Sequence, residues 1–199
     1  MNFKFLLTVF TCLTLSVISY SQTITKEELF FNPEKELISK KKFNKAKDRF
    51  INKRVIENDT AIIGYQIYRR KKGNIKSNVL KNFYRLLGET VSEPIDTTKN
   101  ILIHFYFNPC EKEIESEISN YKYFFMLKRY PIVKPYFITE KGYKFTSDNI
   151  TVHEDKFDFI REIFKDYLYC TNYLIIKPNG DYTIIYGKYK LNLVLDSAV

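Results

Sequence analysis

The 199-residue chain is 45% hydrophobic and 17% aromatic, with 17 Phe, 16 Tyr and no Trp, which is too rich in large apolar side chains for a disordered protein. Its formal charge of +9 sits almost wholly in the first half: residues 22–100 carry 18 Lys plus Arg against 10 Asp plus Glu, whereas residues 101–199 carry 13 of each. It contains no G-x-S-x-G, Walker or G-x-G-x-x-G motif, so the common hydrolase, phosphate-loop and dinucleotide signatures are absent.

Residues 1–21 read as a secretory signal peptide. Lys4 supplies the basic start, an apolar run extends from Phe5 to Ile18, and Ser19 and Ser21 place small residues at the −3 and −1 cleavage positions. The run falls short of the roughly 20 residues that a transmembrane helix needs, and no second segment is apolar enough to span a bilayer. The mature chain is therefore expected to be exported, to the periplasm or beyond, with no transmembrane segment. Cys12 leaves with the signal, while Cys110 and Cys170 stay. In an oxidising compartment an isolated cysteine pair points to a structural disulfide, with a reversible redox pair as the alternative.

Residues 22–58 are expected to form a basic, amphipathic N-terminal helical segment ahead of a domain at 59–199. Asn32-Pro33-Glu34 offers an N-cap, a proline at the first helical position and an acidic first turn. Phe43, Ala46 and Phe50 follow at helical spacing towards Glu57. The block Lys40, Lys41, Lys42, Lys45, Lys47, Arg49, Lys53 and Arg54 is opposed by Asp48 alone. Such a block is either a solvated helix face or a patch for an anionic surface, lipid or glycan. For an exported chain, nucleic acid is not an expected partner; another exported protein is.

Within the domain, Ala61–Tyr68 alternates as a strand, and Arg69–Asn74 reads as a charged loop. Ser77 to Leu87 reads as a helix stopped by Gly88. Ile101–Phe107 is almost wholly apolar, as a central strand covered on both faces should be. Glu111–Leu127 reads as one helix, with Ile114, Ile118, Tyr121 and Phe125 as its buried stripe and four glutamates in its first two turns. Ile132–Thr139 is a strand containing Pro135, and Lys141–Val152 is a loop. Asp155 caps a helix expected to reach Leu168. Tyr173–Lys177 and Tyr182–Tyr186 form a hairpin about Pro178-Asn179-Gly180-Asp181. The tail beyond Lys188 is ambiguous between an edge strand and a helix. Alternating strands and helices that end in a hairpin imply an α/β fold with a mixed sheet, in the order βαβαβαββ from residue 61.

The stretch Phe107-Asn108-Pro109-Cys110-Glu111-Lys112-Glu113, closing an apolar strand and opening a charged helix, resembles the Cys-x-x-Cys corner of exported thioredoxin-type thiol:disulfide oxidoreductases. Leu174 to Tyr182 resembles the penultimate strand and turn of the same family. The resemblance implies a thioredoxin-like fold over roughly residues 61–187 with a degenerate active site. Phe107 stands where the family's nucleophilic cysteine is expected, only Cys110 matches, and Cys170-Thr171-Asn172 occupies the position of the family's cis-proline. It also implies that Cys170 lies beside Cys110, so that the two form a disulfide where the family keeps its chemistry.

No residue is expected to be catalytic, to bind a cofactor or to hold a metal. His104 falls in a buried strand and reads as a satisfied core residue, and His153 in His153-Glu154-Asp155 reads as part of a solvated turn. Their spacing fits no zinc site. The tyrosines alternate with apolar residues, which suits core packing better than base stacking. The expected function is that of a binding or structural module without turnover.

Overall fold

The computed structural model describes residues 26–46, 51–165 and 169–199. The expected signal peptide, Lys47, Arg49 and the end of the helix expected to reach Leu168 lie outside them. The described chain divides into two compact units, one formed by residues up to Ala46 with Lys53–Gln66, the other by Ile51 and Asn52 with Ile67–Val199. The protein is α/β, with one sheet of four strands and a mixed sheet of six. No helix among the described residues is long and apolar enough to cross a membrane.

The first unit departs from the helical expectation. Its elements are β1 (Glu27–Phe31), β2 (Leu37–Ile38), α1 (Lys40–Lys45), β3 (Ile51–Glu57) and β4 (Ala61–Tyr68), and its sheet runs β2-β1-β4-β3. Asn32 closes a turn instead of capping a helix: its Oδ1 accepts the Glu36 N–H at 2.8 Å, which folds β2 back on β1. The cap belongs to Ser39, which accepts from the Lys42 N–H, and the helix lasts only to Lys45. Beyond it, β-branched Ile51, Val55 and Ile56 favour a strand. Phe43 is buried and meets Phe30 at 4.8 Å between ring centroids. Gly64 makes room for that pair, because a Cβ there would stand 2.5 Å from the Phe30 ring.

In the second unit, β5 (Arg70–Asn74) is followed by α2 (Ser77–Val91), β6 (Asn100–Tyr106), α3 (Glu111–Ile118), α4 (Tyr121–Leu127) and β7 (Val133–Thr139). Then come β8 (Val152–Glu154), α5 (Phe159–Phe164), β9 (Thr171–Ile176), β10 (Asp181–Tyr186) and α6 (Leu191–Ala198). The sheet order is β5-β10-β9-β6-β7-β8. β6, β7 and β8 run parallel, while β9, β10 and β5 pair antiparallel in succession.

Four local expectations change, and the ambiguity of the tail resolves. The charged segment after β4 is an edge strand, since its backbone pairs with β10 while its polar side chains stay in water. Helix α2 passes through Gly88 and ends at Ser92, whose φ of 59° supplies the left-handed stop. The long helix breaks at Ser119-Asn120, where Ser119 Oγ donates to the Glu115 carbonyl and Asn120 caps Tyr123. The break rotates the second half, so Tyr121 and Phe125 are exposed, and Glu117, Tyr123 and Leu127 are buried instead. The loop after β7 ends in a short strand, β8, and the tail is a helix, α6. The hairpin stands as expected, with Gly180 at φ 87°.

Strand β6 is buried along its whole length and divides the core by its pleat. Ile101, Ile103 and Phe105 pack with Leu80, Phe83 and Leu87 of α2 and with Ile160 and Phe164 of α5. Leu102 and Tyr106 face the other way, towards Ile114, Tyr123 and Leu127 of α3 and α4 and Val194 and Leu195 of α6.

Candidate functional site

The corner after β6 is built from a strand end, a turn and a helix start. Phe107 is 6% exposed and joins the core in an edge contact with Phe105 at 5.1 Å. Its N–H donates to the Cys170 carbonyl at 3.1 Å, which ties the corner to the chain entering β9. The Asn108–Pro109 peptide is cis, and the Asn108 N–H donates to Glu140 Oε1 at 2.7 Å. Glu140 also pairs with Arg161 Nε at 3.3 Å. Cys110 holds the N-cap position of α3 without a side-chain cap bond and is 2% exposed.

Cys110 and Cys170 are joined as a disulfide, with Cα atoms 5.4 Å apart across 60 positions of sequence. Thus the fold brings together the two cysteines that the sequence singles out. Cys170 is solvent-accessible, while Cys110 lies beneath it. Among the described residues, one cluster has metal-ligand character, Cys110, Glu113 and Cys170. In the disulfide the sulfurs are not thiolates, so Glu113 is left as the sole strong donor there. Tyr143 is buried nearby, and its phenol pKa is raised by burial first and then by Glu111.

One helical step further along α3 lies a polar cluster that sequence reasoning missed. His104 and Glu117 are 0% and 3% exposed, and His104 Nδ1 is 2.9 Å from Glu117 Oε2. Tyr106 donates to the same Glu117 oxygen at 2.9 Å, and Tyr173 donates to Glu117 Oε1 at 2.5 Å. His104 Nε2 is 2.6 Å from the Tyr123 hydroxyl, and its ring stacks on Phe137 at 4.4 Å. Placing the imidazole proton on Nδ1 satisfies every atom: Glu117 accepts three bonds, and Nε2 accepts one from Tyr123. Burial raises the phenol pKa of Tyr106, Tyr123 and Tyr173, and the Glu117 carboxylate raises each further.

The sequence offered one signal for Glu117. It stands three residues after Ile114, on the buried stripe, whereas Glu111 and Glu115 point to water. His104 is the satisfied core residue that its strand position suggested. His153 lies half-buried on β8, with its pKa lowered chiefly by burial.

The basic block does not stay on one helix face. Lys40, Lys41, Lys42 and Lys45 lie on α1, and Lys53 and Arg54 on β3. Lys40 pairs with Glu28 at 2.5 Å, and Lys53 Nζ donates to the Asn44 carbonyl at 3.0 Å. No family model matches the chain, and no curated protein matches it significantly.

Proposed function

We propose that the protein is an exported, thioredoxin-like module with a degenerate active site, which binds or supports a partner without turnover. Support for the fold comes from the chain order over residues 100–186: a central strand, a helical crossover, a parallel strand, a short parallel edge strand, a second helix and a closing hairpin. The observation that carries the function is the state of the corner. Phe107, which the resemblance sets where the nucleophilic thiol would be, is a buried core side chain, and Cys110 is bonded to Cys170. A phenyl ring cannot form the mixed disulfide through which thiol exchange proceeds.

A disulfide-reduction assay on the mature chain, supplied with a dithiol reductant, tests this reading. The expected rate equals that of the reductant alone. A catalysed rate that disappears in Cys110→Ser would instead favour the redox reading, for which the accessibility of Cys170 is the supporting observation. Sequencing the exported protein checks the address, with Gln22 as the expected first residue.

A further inference from the structure

The face of the six-stranded sheet that carries the His104–Glu117 cluster opens, towards the β5 edge, into two adjoining cavities. One, of about 550 Å³, is lined by Arg69, Lys188 and Lys190 and reaches Glu117. The other, of about 790 Å³, is lined by Arg69, Arg70, Lys72 and Lys177. They share Arg69, Tyr189 and Leu193, and so form one groove.

The sheet register explains the lining. His104, Tyr173, Ile185 and Arg70 stand opposite one another on four neighbouring strands, and Leu102, Ile175, Thr183 and Lys72 form the next such row. Opposed residues share a face, so each row begins in the core and ends in a cation at the edge. Arg70 and Lys72 therefore point to the groove side, and Lys71 to the other.

Among the described residues, none of these six cations forms a salt bridge with a side-chain carboxylate. Arg69 Nε and Nη2 donate to Asn52 Oδ1 at 2.9 and 2.7 Å, and its guanidinium lies 5.6 Å from the centre of the Tyr189 ring. Arg70 donates to Ser197 Oγ at 2.8 Å, and Lys177 to the Val199 carbonyl at 3.1 Å. Two side-chain carboxylates line the groove, Glu117 and Asp196, and the oxygens of Glu117 are already engaged by His104, Tyr106 and Tyr173. The groove thus sets six cations against two side-chain carboxylates and keeps a net positive charge.

We propose that this groove binds an acidic oligosaccharide, a run of uronic-acid sugars whose carboxylates meet the cations. Cations strung along two cavities match a repeated charge better than a single anion. Tyr189, Leu191 and Leu193 lie between them and offer apolar surface to the C–H faces of sugar rings. The lining is concave, which suits a chain laid in a groove and not the flat surface of a bilayer. This inference deepens the binding-module reading and rests on it only for the lack of turnover.

Titration of the full mature chain with polygalacturonate oligomers, by calorimetry, tests the groove. Neutral dextran oligomers, phosphatidylglycerol vesicles and a single-stranded oligonucleotide serve as comparison ligands. The expected result is saturable polygalacturonate binding that weakens with added salt, and no dextran binding. Joint Lys188→Glu and Lys190→Glu substitution weakens it about tenfold or more, and Lys72→Glu, in the second cavity, weakens it less. Joint Lys41→Glu and Lys42→Glu substitution on α1 leaves it unchanged. Equal binding of dextran, equal loss from the α1 substitutions, or binding confined to vesicles or the oligonucleotide overturns the proposal. So does a failure of polygalacturonate to bind at all. Any of these outcomes, with no catalysed disulfide reduction, leaves the module reading standing.

Discussion

The two faces of β6 bury their side chains in different ways. On one, Ile101, Ile103 and Phe105 join an apolar cluster with residues of α2, α5 and the neighbouring strands, and stability comes from volume and area. On the other, His104 and Tyr106 alternate with Leu102, and Glu117 gathers their polar atoms into a closed set of bonds. The apolar face tolerates any shape that fills it. The polar face depends on one carboxylate, because removing it strands three donors at once. That dependence also gives this face direction, since its cross-strand rows lead out to Arg70 and Lys72.

The largest expected effect breaks the polar face at its centre. Glu117→Leu leaves Tyr106, Tyr173 and His104 without their acceptor and should cost about 3 kcal/mol or more in urea unfolding, at about 1 or more per stranded donor. On the apolar face, Ile103→Val removes one methylene and should cost about 0.5–1.5 kcal/mol. If the order is reversed, Glu117 does not organise its face and the contrast fails.

The smallest effect concerns a second buried carboxylate, at the margin of the apolar face. Asp155 Oδ2 accepts the N–H groups of Ile160 and Arg161 at 2.9 and 3.0 Å, but its Oδ1 is buried without a partner among the described residues. Burial is the largest influence on its pKa and raises it above 3.8, against the lowering effect of those backbone bonds. The folded state therefore holds this proton more tightly than the unfolded chain does. The stability it lends is complete below 3.8 and is lost as pH rises through the raised folded value. Asp155→Asn keeps an acceptor for α5 and removes the titration. It should change stability at pH 7 by less than about 1 kcal/mol and flatten the acid side of the pH profile. A loss comparable to that of Glu117→Leu would mean that the two carboxylates play the same part.

Sequence periodicity was a good guide where one principle governed a segment. β4, β6, β7 and the closing hairpin follow from alternation, continuous apolarity and turn residues. It failed where a short polar side chain rewired the backbone. Asn32 closed a turn where a helix was expected, and Ser119 with Asn120 split one helix in two, turning Glu117 inward and Tyr121 outward. The edge strand β5 was illegible because its sequence, Arg-Lys-Lys-Gly-Asn, carries no apolar face; the pairing is made by backbone groups alone. The cysteine pair was expected from the resemblance, which set Cys170 beside Cys110, and from assigning Cys12 to a signal peptide. The groove could not be named from the sequence, because Arg69, Lys72, Lys177 and Lys190 are scattered along the chain and meet only through the register.

The midpoint potential of the Cys110–Cys170 couple, measured in the mature protein against a glutathione series, tests the central claim most directly. A locked structural corner requires a value below about −300 mV, with both cysteines oxidised in the protein as isolated. A value near about −200 mV, or free thiols after export, would make the corner an exchanging site and contradict the reading of a module without turnover.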